Sequence, residues 1–268
     1  MSVQLKDAAV LVTGGSDGIG FELSRQAAEA GARVLMVGRD SGRLSAAAER
    51  ITGLHRPETA AVDLANADAL EVFLGSLDAR GFVPTVLINN AGHGASGSFT
   101  STDWPKLDTM LRLNIIALTR LSHWAGERMQ KVGHGAIINI SAAVATRPTP
   151  YFAAYAASKA YVTSLSQAMH AELRHHGVTV TAVHPPLVKT SFAEADKADL
   201  KSTLVMKMFP AVSAAKVADV ALRAGCRGKR AVNVGPIAAA IMASAPVTPR
   251  ALDLPLMGLL FKGRRSGA

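Results

Sequence analysis

Short apolar segments alternate along this chain with longer stretches in which apolar positions recur at helical spacing. The segments 8–12, 33–37, 58–62, 85–88, 135–140, 178–183 and 231–234 read as strands. The stretches 18–30, 41–51, 67–79, 106–130, 153–175 and 214–224 read as helices, with apolar residues three and four apart on one face. Gly31, Gly133 and Gly177 each follow a predicted helix, where a C-terminal cap commonly sits. Strands alternating with helices imply right-handed crossovers and a doubly wound parallel sheet covered by helices on both faces. No internal repeat and no separating linker appears, so residues 1–268 read as a single α/β domain. Two regions break the alternation. Residues 187–212 are polar, charged and methionine-containing, which fits a mobile substrate lid at the carboxyl ends of the strands. Residues 236–268 form a basic, apolar tail in which prolines at 236, 246, 249 and 255 interrupt the runs 237–245 and 252–261.

The first strand runs into Thr13-Gly14-Gly15-Ser16-Asp17-Gly18-Ile19-Gly20, and a helical stretch follows. Strand, glycine-rich turn and helix start form the context that a dinucleotide phosphate site needs. Glycines let the backbone approach a pyrophosphate, and the helix N-terminus receives its negative charge. An ordinary glycine turn is the alternative, and the flanking strand and helix weigh against it. The spacing is Gly-x-x-x-Gly-x-Gly rather than the commoner Gly-x-Gly-x-x-Gly.

Tyr155 and Lys159, in Tyr155-Ala156-Ala157-Ser158-Lys159, are spaced by four and share one face of the predicted 153–175 helix. A free tyrosine, with a pKa near 10, is a poor acid-base group at neutral pH. A lysine cation beside it is expected to favour the phenolate and pull that pKa down. Taken alone, the pair also fits a solvated helix face.

Together these motifs resemble the classical short-chain dehydrogenase/reductase family over roughly residues 5–235. Thr13 to Gly20 matches the family's cofactor turn, with Gly14, Ser16, Gly18, Ile19 and Gly20 as contacts. Asn89-Asn90-Ala91-Gly92 matches the motif after the fourth strand, placing Asn90, Ala91 and Gly92 at the cofactor. The resemblance puts the family's helix asparagine at Asn114, its catalytic serine at Ser141, and its tyrosine and lysine at Tyr155 and Lys159. It implies a single-domain Rossmann-type fold that binds a nicotinamide cofactor. By the same resemblance Tyr155 is the acid-base group, Ser141 holds the substrate oxygen, and Lys159 binds the ribose hydroxyls. Asn114 holds a water that links Lys159 to solvent. After the sixth strand the family's Pro-Gly is replaced by Pro185-Pro186, followed by Leu187, Val188, Lys189 and Thr190. Pro186 lacks the glycine's freedom and one N–H donor. Pro185, Val188 and Thr190 remain expected cofactor contacts, Thr190 near the carboxamide. The helices 106–130 and 153–175 pair across a two-fold axis in this family, which implies a homodimer or homotetramer.

Cofactor choice is read from the end of the second strand, Val37-Gly38-Arg39-Asp40. An acid in the place of Gly38 would accept from the ribose 2′-OH of NAD. Arg39 instead offers a planar fork to a 2′-phosphate, so NADP(H) is favoured, with NAD(H) kept open by Asp40. The resemblance puts Asp63 at the adenine amino group; capping of the next turn is the alternative.

Charge adds one feature that the periodicity does not carry. The chain has 29 Lys/Arg against 20 Asp/Glu, net +9. Residues 197–268 hold 12 of the basic and 3 of the acidic residues, so the whole excess lies in the C-terminal part of the chain, from the lid through the tail. A solvated basic surface is the plainest reading, and an anionic substrate or membrane surface the sharper one. No nucleic-acid motif accompanies the charge. The tail runs fall short of the ~20 apolar residues of a membrane helix. Packing on the subunit or a hydrophobic substrate mouth is favoured over peripheral membrane contact. The one cysteine, Cys226, forms no intrachain disulfide, and no signal-peptide apolar stretch precedes the first strand; both point to the cytoplasm. The eight histidines show no metal-ligand spacing, so no metal is expected.

The sequence thus reads as an NADP(H)-dependent oxidoreductase, a ketoreductase that interconverts a carbonyl and a secondary alcohol. Tyr151, Phe152, Ala95, Ser96, Leu187, Phe192, Met206 and Met208 would line a pocket for a medium or large apolar substrate. An NAD(H)-dependent alcohol dehydrogenase of the same family and a non-catalytic nucleotide-binding sensor or scaffold are the alternatives.

Overall fold

The computed structural model describes residues 2–189 and 210–262. Its elements follow the expected alternation. Strand β1 (Ala9–Thr13) leads to α1 (Gly18–Glu29), β2 (Arg33–Gly38) to α2 (Ser41–Glu49), and β3 (Glu58–Ala61) to α3 (Ala67–Ala79). Then come β4 (Val86–Asn89), α4 (Trp104–Leu111), a π-helical segment (Arg112–Ala117) and α5 (Leu118–Val132). They are followed by β5 (Gly135–Ile140), α6 (Ala153–Leu173) and β6 (Val178–His184). Two short strands, β7 (Val188–Lys189) and β8 (Val212–Ser213), pair with each other in parallel. Helix α7 (Ala214–Cys226), β9 (Ala231–Asn233), α8 (Gly235–Ser244) and α9 (Arg250–Phe261) complete the described chain.

The main sheet has seven strands in the order β3-β2-β1-β4-β5-β6-β9, every pairing parallel. Both faces are apolar, which explains why the strands read as near-continuous hydrophobic runs. Val10, Val12, Met36, Ile88, Ile138 and Ile140 pack on one side with Leu23 and Ala27 of α1 and Val217 and Ala221 of α7. Leu11, Leu35, Leu87, Ile137 and Val180 pack on the other, against Leu74 and Leu77 of α3 and Leu121 and Trp124 of α5. Successive strand residues face opposite layers, so alternate positions feed two separate cores.

The strand order reverses between β1 and β4, because the chain winds outward from β1 in one direction and returns at β4 to wind in the other. A crevice opens at the carboxyl ends of strands at such a point. The loops after β1, β4, β5 and β6 all emerge at that end.

Two segments differ from the sequence expectation. The 106–130 helix is three pieces, because the ladder widens to π winding across Arg112–Ala117. The tail, expected as interrupted apolar runs, forms helices α8 and α9. Pro236 lies in the first turn of α8, where its missing N–H leaves no ladder bond unmade, while Pro255 is accommodated inside α9. Most of the expected lid 187–212, with Thr190, Phe192, Met206 and Met208, lies outside the described residues, as do Arg264 and Arg265.

Candidate active site

The glycine turn closes the crevice on one side. Gly14 has φ +67°, a left-handed conformation that side chains disfavour, and a Cβ on Gly20 would collide with the carbonyl oxygen of Gly14. The turn is therefore wound too tightly for any residue but glycine at these two positions. Ser16, Gly18 and Ile19 are half-buried along the same turn. Asp17 caps α1 by accepting from Gly18 N at 2.6 Å. The first turn of α1 thus presents its backbone N–H groups and the positive end of the helix dipole to the crevice.

The end of β4 is stapled to this turn. Thr13 Oγ1 accepts from Asn90 N (3.0 Å) and Ala91 N (2.9 Å), and Asn90 Nδ2 donates to Thr13 O (2.9 Å). A Cβ placed on Gly92 would sit 2.8 Å from Asn114 Oδ1 and 3.6 Å from Lys159 Nζ, so Gly92, Asn114 and Lys159 converge. Asn114 lies in the π-helical segment and is fully buried. Its amide nitrogen donates to His93 O (3.1 Å) and Ser158 Oγ (3.2 Å), and its oxygen accepts from His93 N (3.2 Å). A widened turn is a frequent mark of a functional site, and apolar periodicity cannot reveal it.

Tyr155 and Lys159 lie on α6, buried, with Lys159 Nζ 5.7 Å from the Tyr155 ring centroid. Nζ donates to Ile140 O at 2.9 Å, which ties α6 to the end of β5. Burial pushes the Tyr155 phenol above its ordinary pKa and pulls the Lys159 ammonium down to about 8. The phenol therefore moves opposite to the direction expected from its lysine neighbour. Both groups are taken out of water, and desolvation opposes charge on each.

Ser141 is turned to the backbone of α6 and to Thr163. Its hydroxyl donates to Lys159 O at 2.9 Å and lies 2.8 Å from Thr163 Oγ1, and only 2% of the residue is exposed. The neighbouring Ala142 packs instead in the apolar cluster that holds Tyr155, Phe152 and Ala95.

The tail forms the outer wall. Arg147, after β5, makes a buried ion pair with Asp253 of α9 and donates to Ser244 Oγ of α8 at 2.6 Å. Phe261 stacks on Phe152 (6.1 Å between centroids), and Phe152 in turn packs on Tyr155 (4.5 Å). Tyr151 adopts φ +63°, a strained conformation for a side-chain-bearing residue, and its carbonyl accepts from Gly97 N. Arg147, Asp253 and Phe261 are site residues that sequence reasoning missed. Motif order reaches only the family's core, whereas these contacts span about a hundred residues.

At the cofactor end, Arg39 is exposed. Asp40 is engaged as the N-cap of α2, accepting from Arg43 N at 2.9 Å. Arg43 bridges to Asp17 (3.2 Å), which brings a second guanidinium to the glycine turn. Asp63 is exposed and folds back on its own turn, accepting from Ala65 N at 3.1 Å. Pro185 O accepts from Ala143 N, and Val188 is buried in the core on the α1 side of the sheet. Among the described residues no group of three His, Cys, Asp or Glu side chains could hold a metal ion. Among the same residues no helix is long and apolar enough to cross a membrane.

Residues 8–201 match the family described as short chain dehydrogenase. The chain belongs to the short-chain dehydrogenase family. Across 92% of its length it is 30% identical to a protein of Mycobacterium tuberculosis named probable oxidoreductase EphD, covering 44% of that protein. Across 71% it is 31% identical to the human very-long-chain 3-oxoacyl-CoA reductase, covering 62% of it. The chain thus spans about half the length of these relatives. Among solved structures, the short-chain dehydrogenase from Sphingobium yanoikuyae in complex with NADPH superposes with a TM-score of 0.79 at 30% identity, covering 97% of this chain and 98% of that one. The bulky-bulky ketone specific alcohol dehydrogenase from Comamonas testosteroni gives 0.74 at 27% identity, covering 97% and 96%.

Proposed function

We propose that this short-chain dehydrogenase is an NADP(H)-dependent oxidoreductase that interconverts an apolar, medium-to-large ketone and its secondary alcohol. The observation that carries the reading is the buried Tyr155–Lys159 pair on α6, set beside the Asn90–Gly92 turn and the tight glycine turn. The crevice fits a dinucleotide: Gly14 and Gly20 keep the backbone clear, and the α1 N-terminus offers N–H groups to a pyrophosphate. Gly14, Ser16, Gly18, Ile19, Gly20, Asn90, Ala91 and Gly92 would line it, with Asp63 toward the adenine. Arg39 and Arg43 would meet a 2′-phosphate. When bound, the nicotinamide supplies the hydride.

Tyr155 carries the proton that goes to the substrate oxygen in reduction and leaves it in oxidation. Its raised pKa keeps the phenol protonated at neutral pH, the state that reduction needs. Lys159, charged below about pH 8, favours the phenolate that remains after transfer. Asn114, gripped on three sides by His93 and Ser158, holds the loop after β4 against Lys159. Phe152, Ala95 and Phe261 supply an apolar wall, which supports a hydrophobic substrate. The names of the oxoacyl-CoA reductase and the bulky-ketone dehydrogenase point to the same class. Exposed Ile116 in the π segment and exposed Tyr161 on α6 support a homodimer or homotetramer.

One assay tests the reading: oxidation of NADPH and NADH with a panel of bulky and small ketones, on the parent, Tyr155→Phe and Arg39→Asp. Tyr155→Phe is expected to abolish turnover while still binding NADPH. Arg39→Asp is expected to lose about 1.5–3 kcal/mol of NADPH preference, the range for hydrogen bonds to charged groups. Residual activity of Tyr155→Phe within tenfold of the parent would refute the acid-base assignment.

A further inference from the structure

We propose that Ser141 is a positioning residue for α6, and that Ala142, rather than Ser141, occupies the wall beside the reacting oxygen, so Ser141 is not the hydroxyl that meets the substrate there. This inference rests on the carbonyl–alcohol reading above and deepens it. Side chains along β5 alternate between the two layers of the fold. Ile138 and Ile140 point to the α1 and α7 layer. Asn139 and Ser141 point the other way, toward α6, where Asn139 Nδ2 donates to Ser166 Oγ at 2.9 Å. Ser141 Oγ reaches Lys159 O and Thr163 Oγ1 on that helix. These atoms belong to residues one and two turns beyond Tyr155, roughly 6 and 12 Å along the axis at about 1.5 Å per residue. Helical side chains lean toward the N-terminus, which carries the phenol further still from Ser141.

The Ser141 hydroxyl is also the end of a buried polar chain. Thr163 Oγ1 lies 3.2 Å from His184 Nε2, and His184 Nδ1 lies 3.1 Å from Asn233 Oδ1. Thr163 and His184 are themselves buried, and turning Ser141 outward would remove one of the two side-chain partners of the Thr163 hydroxyl inside the protein. Ala142 is extended, with φ −158° and ψ 157°, so its Cβ projects opposite to that of Ser141. That direction leads into the cluster of Tyr155, Phe152 and Ala95. A methyl group therefore stands where a donor to the substrate oxygen would be useful.

Three variants, each assayed for NADPH-dependent ketone reduction and for Tm, decide the matter. Ala142→Ser places a hydroxyl beside the phenol and is expected to raise kcat about tenfold; a single well-placed donor of this kind is worth about 10²–10³ when fully optimised. Ser141→Ala is expected to lower Tm, to reduce kcat less than about tenfold, and to shift the pH limb of kcat that Lys159 sets, because the Lys159 carbonyl loses its anchor. Tyr155→Phe serves as the reference for loss of the acid-base group. A hundredfold loss in Ser141→Ala at unchanged Tm, or no rise in Ala142→Ser, overturns this inference alone. Parental turnover in Tyr155→Phe would overturn the reading on which it rests, and this inference with it.

Discussion

Lys159 loses its proton near pH 8 in the folded chain, against 10.5 for an ordinary lysine, because burial disfavours the ammonium. Between those values the unfolded chain binds more protons than the folded one, so stability rises with pH through that window. The penalty is fully present below pH 8 and is relieved toward pH 10.5. Lys159→Met has no such group to titrate. Urea denaturation of both proteins at pH 7 and pH 9.5 should show the parent gaining about 2 kcal/mol on the variant, since each pH step above 8 relieves about 1.36 kcal/mol. An unchanged gap would mean that the ammonium reaches water. The same residue illustrates what a sequence conceals. The spacing of Tyr155 and Lys159 is legible as one helical face. The direction in which the phenol moves is not, because desolvation depends on what covers the pair, and much of that cover comes from far along the chain.

Helix α9 provides part of it, through Phe261. Arg147 and Asp253 form an ion pair with both side chains less than a tenth exposed. Removing one partner leaves an uncompensated buried charge and typically costs about 3–5 kcal/mol. Asp253→Ala should therefore lower stability by that order in urea titrations and raise KM for bulky ketones, since Phe261 would lose its seat on Phe152. The double substitution Arg147→Met with Asp253→Leu should recover most of the loss; failure to recover would mean that the pair does more than neutralise itself. At this scale the main-sheet strands and the helices up to α7 are readable from periodicity, to within a residue or two for most ends. Three things are not. The tail reads as broken runs because Pro236, Pro246, Pro249 and Pro255 mask two helices. The π segment leaves no trace in the apolar pattern. The direction of Ser141 depends on strand register just past β5, where one residue's shift exchanges the two faces.

For the molecule as a whole, the exposed face shared by the π segment, α5 and α6 stands out. Ile116 is 59% exposed and Tyr161 39%, and the Tyr161 hydroxyl lies 3.0 Å from Thr119 Oγ1, which holds the helices as one surface. A closed two-fold interface reuses such a patch on both copies. Light scattering at micromolar concentration should give the parent the mass of a dimer or tetramer, and Ile116→Arg a smaller assembly. A monomeric parent would remove this face as an interface. Family membership leads one to expect an assembly of copies, but the residues that meet in this chain's own interface are a property of its surface, which the motifs of the crevice do not report.

The segment Arg112–Ala117 has a last consequence, in the arithmetic of insertions. A π turn holds about one residue more than the α turn it replaces, and each residue of an α-helix rotates its successors by roughly 100°. Deleting one residue there would return the rod to regular winding and leave α4 and α5 with their apolar faces as they are. The seat of Asn114 would be lost. A chain shortened by one residue at this point is therefore expected to keep its fold in thermal melts while losing the place that Asn114 holds in the crevice.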